Sequence, residues 1–240
     1  MLSVFIVSDL PETGVVLLDG DEGHHAAKVV RVNVGDDILL TDGRGSKAHV
    51  TVTDIHKEKV ECSIISREFE EMSRSKLTVV QALTKSDRAR ETIELLTEAG
   101  VHSIIPWSAS RSIGQWKNDE GSRLKWQTWA KEATKQSRRA WMPQIYDLHS
   151  TQDVVQAFDT FDLLLLCDED AEVKISHALQ GKKYSNILTI IGPEGGIAPE
   201  EREIFTRAGA HVVGLGRTVF RSAHAGAAAL AAVQTALGIW

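Results

Sequence analysis

Two glycine-bearing segments in the last third of the chain, IGPEGG (191–196) and LGRTVFRSAHAG (215–226), carry the residue types best suited to ligand chemistry. Glycine permits positive φ and lets a ligand approach the backbone without meeting a Cβ. A planar adenine can then be read by backbone amides and carbonyls while aliphatic side chains cover its faces. Glu194 is the carboxylate held between the glycines, Arg221 a permanent cation, and His224 an imidazole able to accept a proton. Alone, GPEGG reads as a tight turn, and Leu215 and Val219 read as core residues.

Other site chemistries fit poorly. Gly214-Leu215-Gly216 begins like a dinucleotide fingerprint but lacks the third glycine and comes late in the chain, and no P-loop pattern occurs. The two cysteines, Cys62 and Cys167, form neither a disulfide framework nor a zinc site. The nine histidines show no metal spacing, and adjacent residues such as His24 and His25 on a strand would point to opposite faces. No metal is expected.

These motifs need a frame. Apolar residues make up 42% and charged residues 25% of 240, an ordinary globular balance. The formal charge of −6 argues against nonspecific coating of nucleic acid but leaves room for a local basic patch. No run approaches the length of a membrane span, and the first residues lack the basic start of a signal peptide, so a cytoplasmic location is expected.

Residues 1–70 read as β-rich, with short strands at 4–7, 14–18, 36–40, 48–55 and 59–65 and one helical candidate at 23–32. The charged stretch 67–76 reads as a linker. From about 77 strands alternate with helices: strands at 77–83, 101–107, 161–167, 186–192 and 211–216, helices at 86–100, 120–138, 171–180, 199–209 and 223–238. FDLLLLC (161–167) is apolar throughout, as a strand covered on both faces should be. The class is α/β with a mainly parallel sheet. Ligands in such sheets bind at the carboxyl ends of strands, where CDED, GPEGG and GRTVF fall.

Taken together, IGPEGGIAPEE (191–201) and LGRTVFRSAHAGAAALAAVQ (215–234) resemble the SPOUT-class, trefoil-knot methyltransferases, and within them the 16S ribosomal RNA uracil-N3 methyltransferase family. HHAAKVVRVNVGDDILLTDG (24–43), KSDRARETIELLTEAGVHSIIPWSASRS (85–112) and KWQTWAKEATKQSRRAWMPQI (125–145) resemble that family's segments in the same order. The resemblance implies a PUA-like, RNA-binding β-barrel over 1–70 and a knotted S-adenosylmethionine-dependent methyltransferase domain over 71–240. It further implies a homodimer acting on 16S rRNA or the small ribosomal subunit.

On this resemblance Leu166, Ile191, Gly192, Gly195, Gly196, Leu215, Gly216, Val219, Phe220 and Ala225 are expected to hold S-adenosylmethionine. Arg221 would stabilise the charge that gathers on uracil as N3 loses its proton, with Glu194 and His224 beside it. Where the family reads Arg-Thr-Glu-Thr-Ala, this chain has Arg221-Ser222-Ala223-His224-Ala225. The acid is missing, and His224 is read as its partial replacement. The expected RNA contacts are Arg31, Lys85, Arg88, Arg90, Arg111, Lys135, Arg138 and Arg139, with Trp107, Trp116 and Trp141 able to stack on unpaired bases or to sit in the core. Two other readings stand beside this one: an RNA-binding or ribosome-assembly protein that has lost catalysis, and a nicotinamide-dependent dehydrogenase resting on GLGRTV.

Overall fold

The structure, a computed structural model, describes residues 2–180 and 183–240. Contacts divide it into two units, Met1–Met72 with Thr134–Met142, and Ser73–Ala133 with Pro143–Trp240. The nine residues 134–142 return to the first unit from within the second's sequence, so the chain crosses between units three times.

In the first unit β1 (Val4–Ile6), β2 (Val15–Leu18), β3 (Asp37–Thr41), β4 (Ser46–His56) and β5 (Lys59–Phe69) form one sheet in the order β1-β3-β4-β5-β2. Only β1–β3 is a parallel pair. Along β4, Ser46, Ala48, Val50 and Val52 turn inward and meet Phe5, Leu18, Leu40, Val60 and Cys62, the period-two pattern of a strand with one buried face. The predicted helix at 23–32 is instead a short α1 (Gly20–His24) that widens into a π-helical turn (His25–Val30) and ends on Arg31 at φ 61°. The expected linker is also partly strand. β5 continues through Arg67–Phe69 because its charges are answered across the ladder, with Lys47 bonded to Glu68 and Glu70.

The second unit holds β6 (Lys76–Ala82), β7 (Ser103–Trp107), β8 (Gln144–Ile145), β9 (Leu163–Cys167), β10 (Asn186–Ile191) and β11 (His211–Val213), ordered β11-β9-β10-β6-β7-β8. Every one of these pairings is parallel. Successive residues alternate between two cores. Val79, Leu165 and Ile187 face α2 (Ser86–Glu98) and α7 (Ser222–Ala236), meeting Ile93, Leu96, Leu230 and Val233. Val80, Leu166 and Leu188 face α4 (Thr151–Gln156) and α6 (Pro199–Arg207), meeting Val154 and Phe205. Burying a side chain such as Leu230 contributes about 2 kcal/mol. The other α-helices among the described residues are α3 (Asp119–Ser137) and α5 (Ile175–Ala178); α5 is much shorter than the helix expected at 171–180. Among the described residues no helix is long and apolar enough to cross a membrane.

Candidate functional site

The carboxyl ends of β9 and β10 open into a cavity of about 210 Å³. Its walls include the strand ends Cys167 and Ile191, Gly192, Pro193 and Gly195–Ile197 of the following turn, the segment Leu215–Phe220, and Ser222 and Ala225 of α7. Gly192 is required by close packing, because a Cβ there would lie 2.5 Å from Ile197 Cγ1, and Gly196 by its φ of 72°. The expected cofactor residues line this cavity with one exception. Leu166 is wholly buried on the α6 side of the sheet, and its neighbour Cys167 reaches the cavity instead. Burial pushes the Cys167 thiol up to about 12, with Asp168 adding to the effect.

The carboxylates after β9 divide in role. Asp168 accepts from Arg202 Nε at 3.1 Å and from the Asp170 amide at 2.9 Å, which sets the loop, while Glu169 and Asp170 are exposed at the cavity. Arg111, expected to touch RNA, lies in this wall too and donates Nη1 to the Gly195 carbonyl at 3.2 Å.

A second cavity, about 480 Å³, adjoins the first across Glu169, Pro193, Val219, Phe220 and Ser222, which line both. Its remaining walls are Lys85, Arg88, Ile113, Glu194, Arg221 and Ala223. Lys85 and Arg88 therefore converge with the distant Arg221, beside the apolar side chain of Ile113, which is 63% exposed. Glu194 Oε1 accepts from the Lys85 amide at 3.2 Å, just before α2 begins. Ser222 donates Oγ–H to the Gly192 carbonyl at 2.6 Å and accepts from Gln81 Nε2 at 3.2 Å.

His224 is placed elsewhere. It lines neither cavity, and its Nε2 lies 3.1 Å from Glu91 Oε1 on α2. Arg88 donates to the other oxygen of Glu91 at 3.0 Å, and hydrogen bonds from His224 first and Arg88 second hold the Glu91 carboxyl below its ordinary range. Arg90 is paired with Glu94.

Of the remaining basic residues, Arg31 and Arg138 are exposed, and Arg138 donates to the Leu2 carbonyl at 3.3 Å. Lys135 is corrected: it is 5% exposed and ion-paired to Glu22 inside the first unit. Arg139 is half-buried, and burial pushes its guanidinium down to about 10 against the pull of Glu70. The tryptophans are packing residues here. Trp107 is fully buried and donates to Thr151 Oγ1, Trp116 stacks edge-on with Trp126, and Trp141 donates to the Glu70 carbonyl and meets Phe69. Ser222, Gln81 and Ile113 had no signal in the sequence that set them apart from core or loop residues.

Comparison with known proteins gives the family and the fold. Residues 71–234 match the family model described as RNA methyltransferase domain, and residues 18–65 match the RNA methyltransferase PUA domain. Ribosomal RNA small subunit methyltransferase E of Mycobacterium bovis is 38% identical, covering 99% of this chain and 93% of that protein. The protein of the same description from Bacillus subtilis is 32% identical over 94% and 91%. The crystal structure of a ribosomal RNA small subunit methyltransferase E from Neisseria gonorrhoeae, bound to S-adenosyl methionine, superposes with a TM-score of 0.88 at 25% identity, covering 98% of both chains. The second unit is accordingly a SPOUT-class α/β domain, and the first a PUA-like barrel.

Proposed function

The chain belongs to the RNA methyltransferase family, and on that premise we propose that it methylates N3 of a uridine in 16S rRNA with S-adenosylmethionine, working as a homodimer. One observation carries this reading: a glycine-walled cavity and a cation-lined cavity share Val219, Phe220 and Ser222 as their common wall.

The first cavity suits the cofactor chemically. Backbone at Gly196 and Gly216 is open to a planar adenine, with Gly192 and Gly195 in the same wall and Ile191, Leu215, Val219, Phe220 and Ala225 as apolar cover. Glu169 and Asp170 match a sulfonium and an ammonium, and Arg111 and Arg217 match a carboxylate. When bound, the cofactor supplies an electrophilic methyl group.

The second cavity receives the base. Uracil N3 becomes nucleophilic only after its imide proton leaves, and the resulting negative charge spreads to the flanking oxygens. Arg221 stabilises that charge, and Glu194, anchored through one oxygen on the Lys85 amide, accepts the proton. Ile113 and Phe220 flank the ring, and Lys85 and Arg88 take the adjoining phosphates. Holding base and cofactor in adjoining cavities, so that N3 can meet the methyl carbon directly, supplies several kcal/mol of the barrier through orientation alone. Arg31 and Arg138 of the barrel add backbone contacts to the RNA.

Mass-spectrometric mapping of rRNA from cells with and without the protein tests this. A single N3-methyluridine should vanish from 16S rRNA in the deletion strain. An unchanged map would overturn the reading, and a silent calorimetric titration with S-adenosylmethionine would point to a binding protein that has lost catalysis.

A further inference from the structure

Arg88 lines the second cavity, yet its guanidinium is not free to turn toward a ligand without reference to its neighbours. Its Nη1 donates to Glu91 Oε2 at 3.0 Å, within the first turns of α2. The other oxygen of Glu91 is held at 3.1 Å by His224 Nε2, on the first turn of α7. His224 directly follows Arg221, Ser222 and Ala223, which line the same cavity. One carboxylate therefore joins a cavity cation on α2 to the helix whose start also lines the cavity.

We infer that His224 is a positioning residue which, through Glu91, keeps Arg88 presented to the RNA at the second cavity. The argument is one of competing geometry. A free carboxylate three residues along the same helix can close on guanidinium with both oxygens, the preferred fork-to-fork arrangement. Arg88 would then spend two donors on Glu91 and tilt along its own helix. With one oxygen committed to His224, Glu91 can engage Arg88 only through the other, and the rest of the five guanidinium N–H donors remain for a phosphate or base. His224 needs only an N–H at Nε2 for this, which the imidazolium and one neutral tautomer both supply. The side chains of Arg88, Glu91 and His224 are each about two-fifths exposed, so the contacts can adjust without unfolding the helices.

The inference rests on the proposed reading of the second cavity as the RNA site, and the test separates the two. Steady-state kinetics on 16S rRNA substrate are measured for His224→Ala, His224→Gln, Arg88→Ala and the double variant Arg88→Ala with His224→Ala. We expect His224→Ala to raise KM for RNA roughly fivefold with the loss falling on KM and not kcat. His224→Gln, whose amide N–H can still reach Glu91, should restore most of it. The double variant should be no worse than Arg88→Ala alone, because His224 acts through that residue. Additive losses, or an unchanged KM in His224→Ala while Arg88→Ala raises it, would overturn the relay and leave the cavity reading standing. An Arg88→Ala enzyme with unchanged KM would overturn both.

Discussion

Ser222 Oγ donates to the Gly192 carbonyl at 2.6 Å, so the two glycine-bearing motifs are tied to each other directly although thirty residues separate them. Ser222 is buried and receives a second bond from Gln81 on β6, which anchors the contact in the sheet. Removing the hydroxyl leaves the Gly192 carbonyl and the Gln81 amide each short of a partner. Ser222→Ala is expected to weaken S-adenosylmethionine binding about tenfold in calorimetric titration, with Ser222→Thr close to the parent. Unchanged affinity in Ser222→Ala would show that the turn at Gly192–Gly196 holds its shape unaided.

Arg221 faces the second cavity from the residue just before α7. If it stabilises charge that exists fully only in the transition state, its loss should fall on kcat. Arg221→Ala is expected to lower kcat about 10²-fold, the usual effect of deleting one such donor, while cofactor affinity stays within about twofold. A change confined to KM would make it a simple RNA contact.

Cys167 stands in the cofactor cavity wall with its thiol pushed up to about 12 by burial. The raised value means the neutral thiol persists as pH climbs through the physiological range. At pH 8 the thiol therefore stays protonated, and the thiolate is the form that reacts. Thiol reagents at pH 8 should therefore leave the folded protein unmodified, and both cysteines should label after denaturation, since burial also raises Cys62, to about 11. Rapid labelling of Cys167 without denaturant would mean that the strand end opens in solution.

The parallel sheet was legible because strands buried on both faces are apolar throughout, as in Leu163–Cys167, and need no partner to be recognised. What local pattern could not convey was which face a residue takes. Leu166 and Cys167 are equally apolar neighbours, and a shift of one residue exchanges core for cavity. Nor could it convey contacts across the chain. Glu91 and His224 are 133 residues apart, and Lys135 and Glu22 are 113 apart, so an imidazole and an ammonium that read as site groups prove to be committed to carboxylates. The short β8 and α4 were missed for want of length, although the reciprocal Ser150–Asp153 capping box announces α4.

Arg138 and Arg139 are adjacent but differ physically, and the difference predicts different phenotypes. Arg138 is exposed, whereas Arg139 is half-buried near Glu70. Arg138→Glu should reduce the salt dependence of RNA affinity by about one unit of slope and leave the melting temperature alone. Arg139→Glu should lower the melting temperature, because it buries a carboxylate beside Glu70. An unchanged slope in Arg138→Glu would remove the residue from the RNA footprint.

The final prediction concerns the first unit's buried ion pair. Lys135 Nζ lies 3.3 and 3.5 Å from the two oxygens of Glu22, one of which also accepts from the Ile6 amide at 3.3 Å, and His25 Nδ1 lies 3.5 Å from the ammonium. Both residues are under 9% exposed. Taking these charges from water is costly, so the pair itself adds little net stability, but deleting one partner strands the other. Lys135→Met should therefore cost about 3–5 kcal/mol in denaturant unfolding. Adding Glu22→Gln to it should return most of that loss, since the amide carbonyl can still accept from Ile6 and no charge is left behind. If Lys135 instead served RNA, Lys135→Met would keep its stability and lose RNA affinity. Hydrogen exchange at β1 beside an RNA titration distinguishes these outcomes, with faster exchange and unchanged affinity of the folded protein expected.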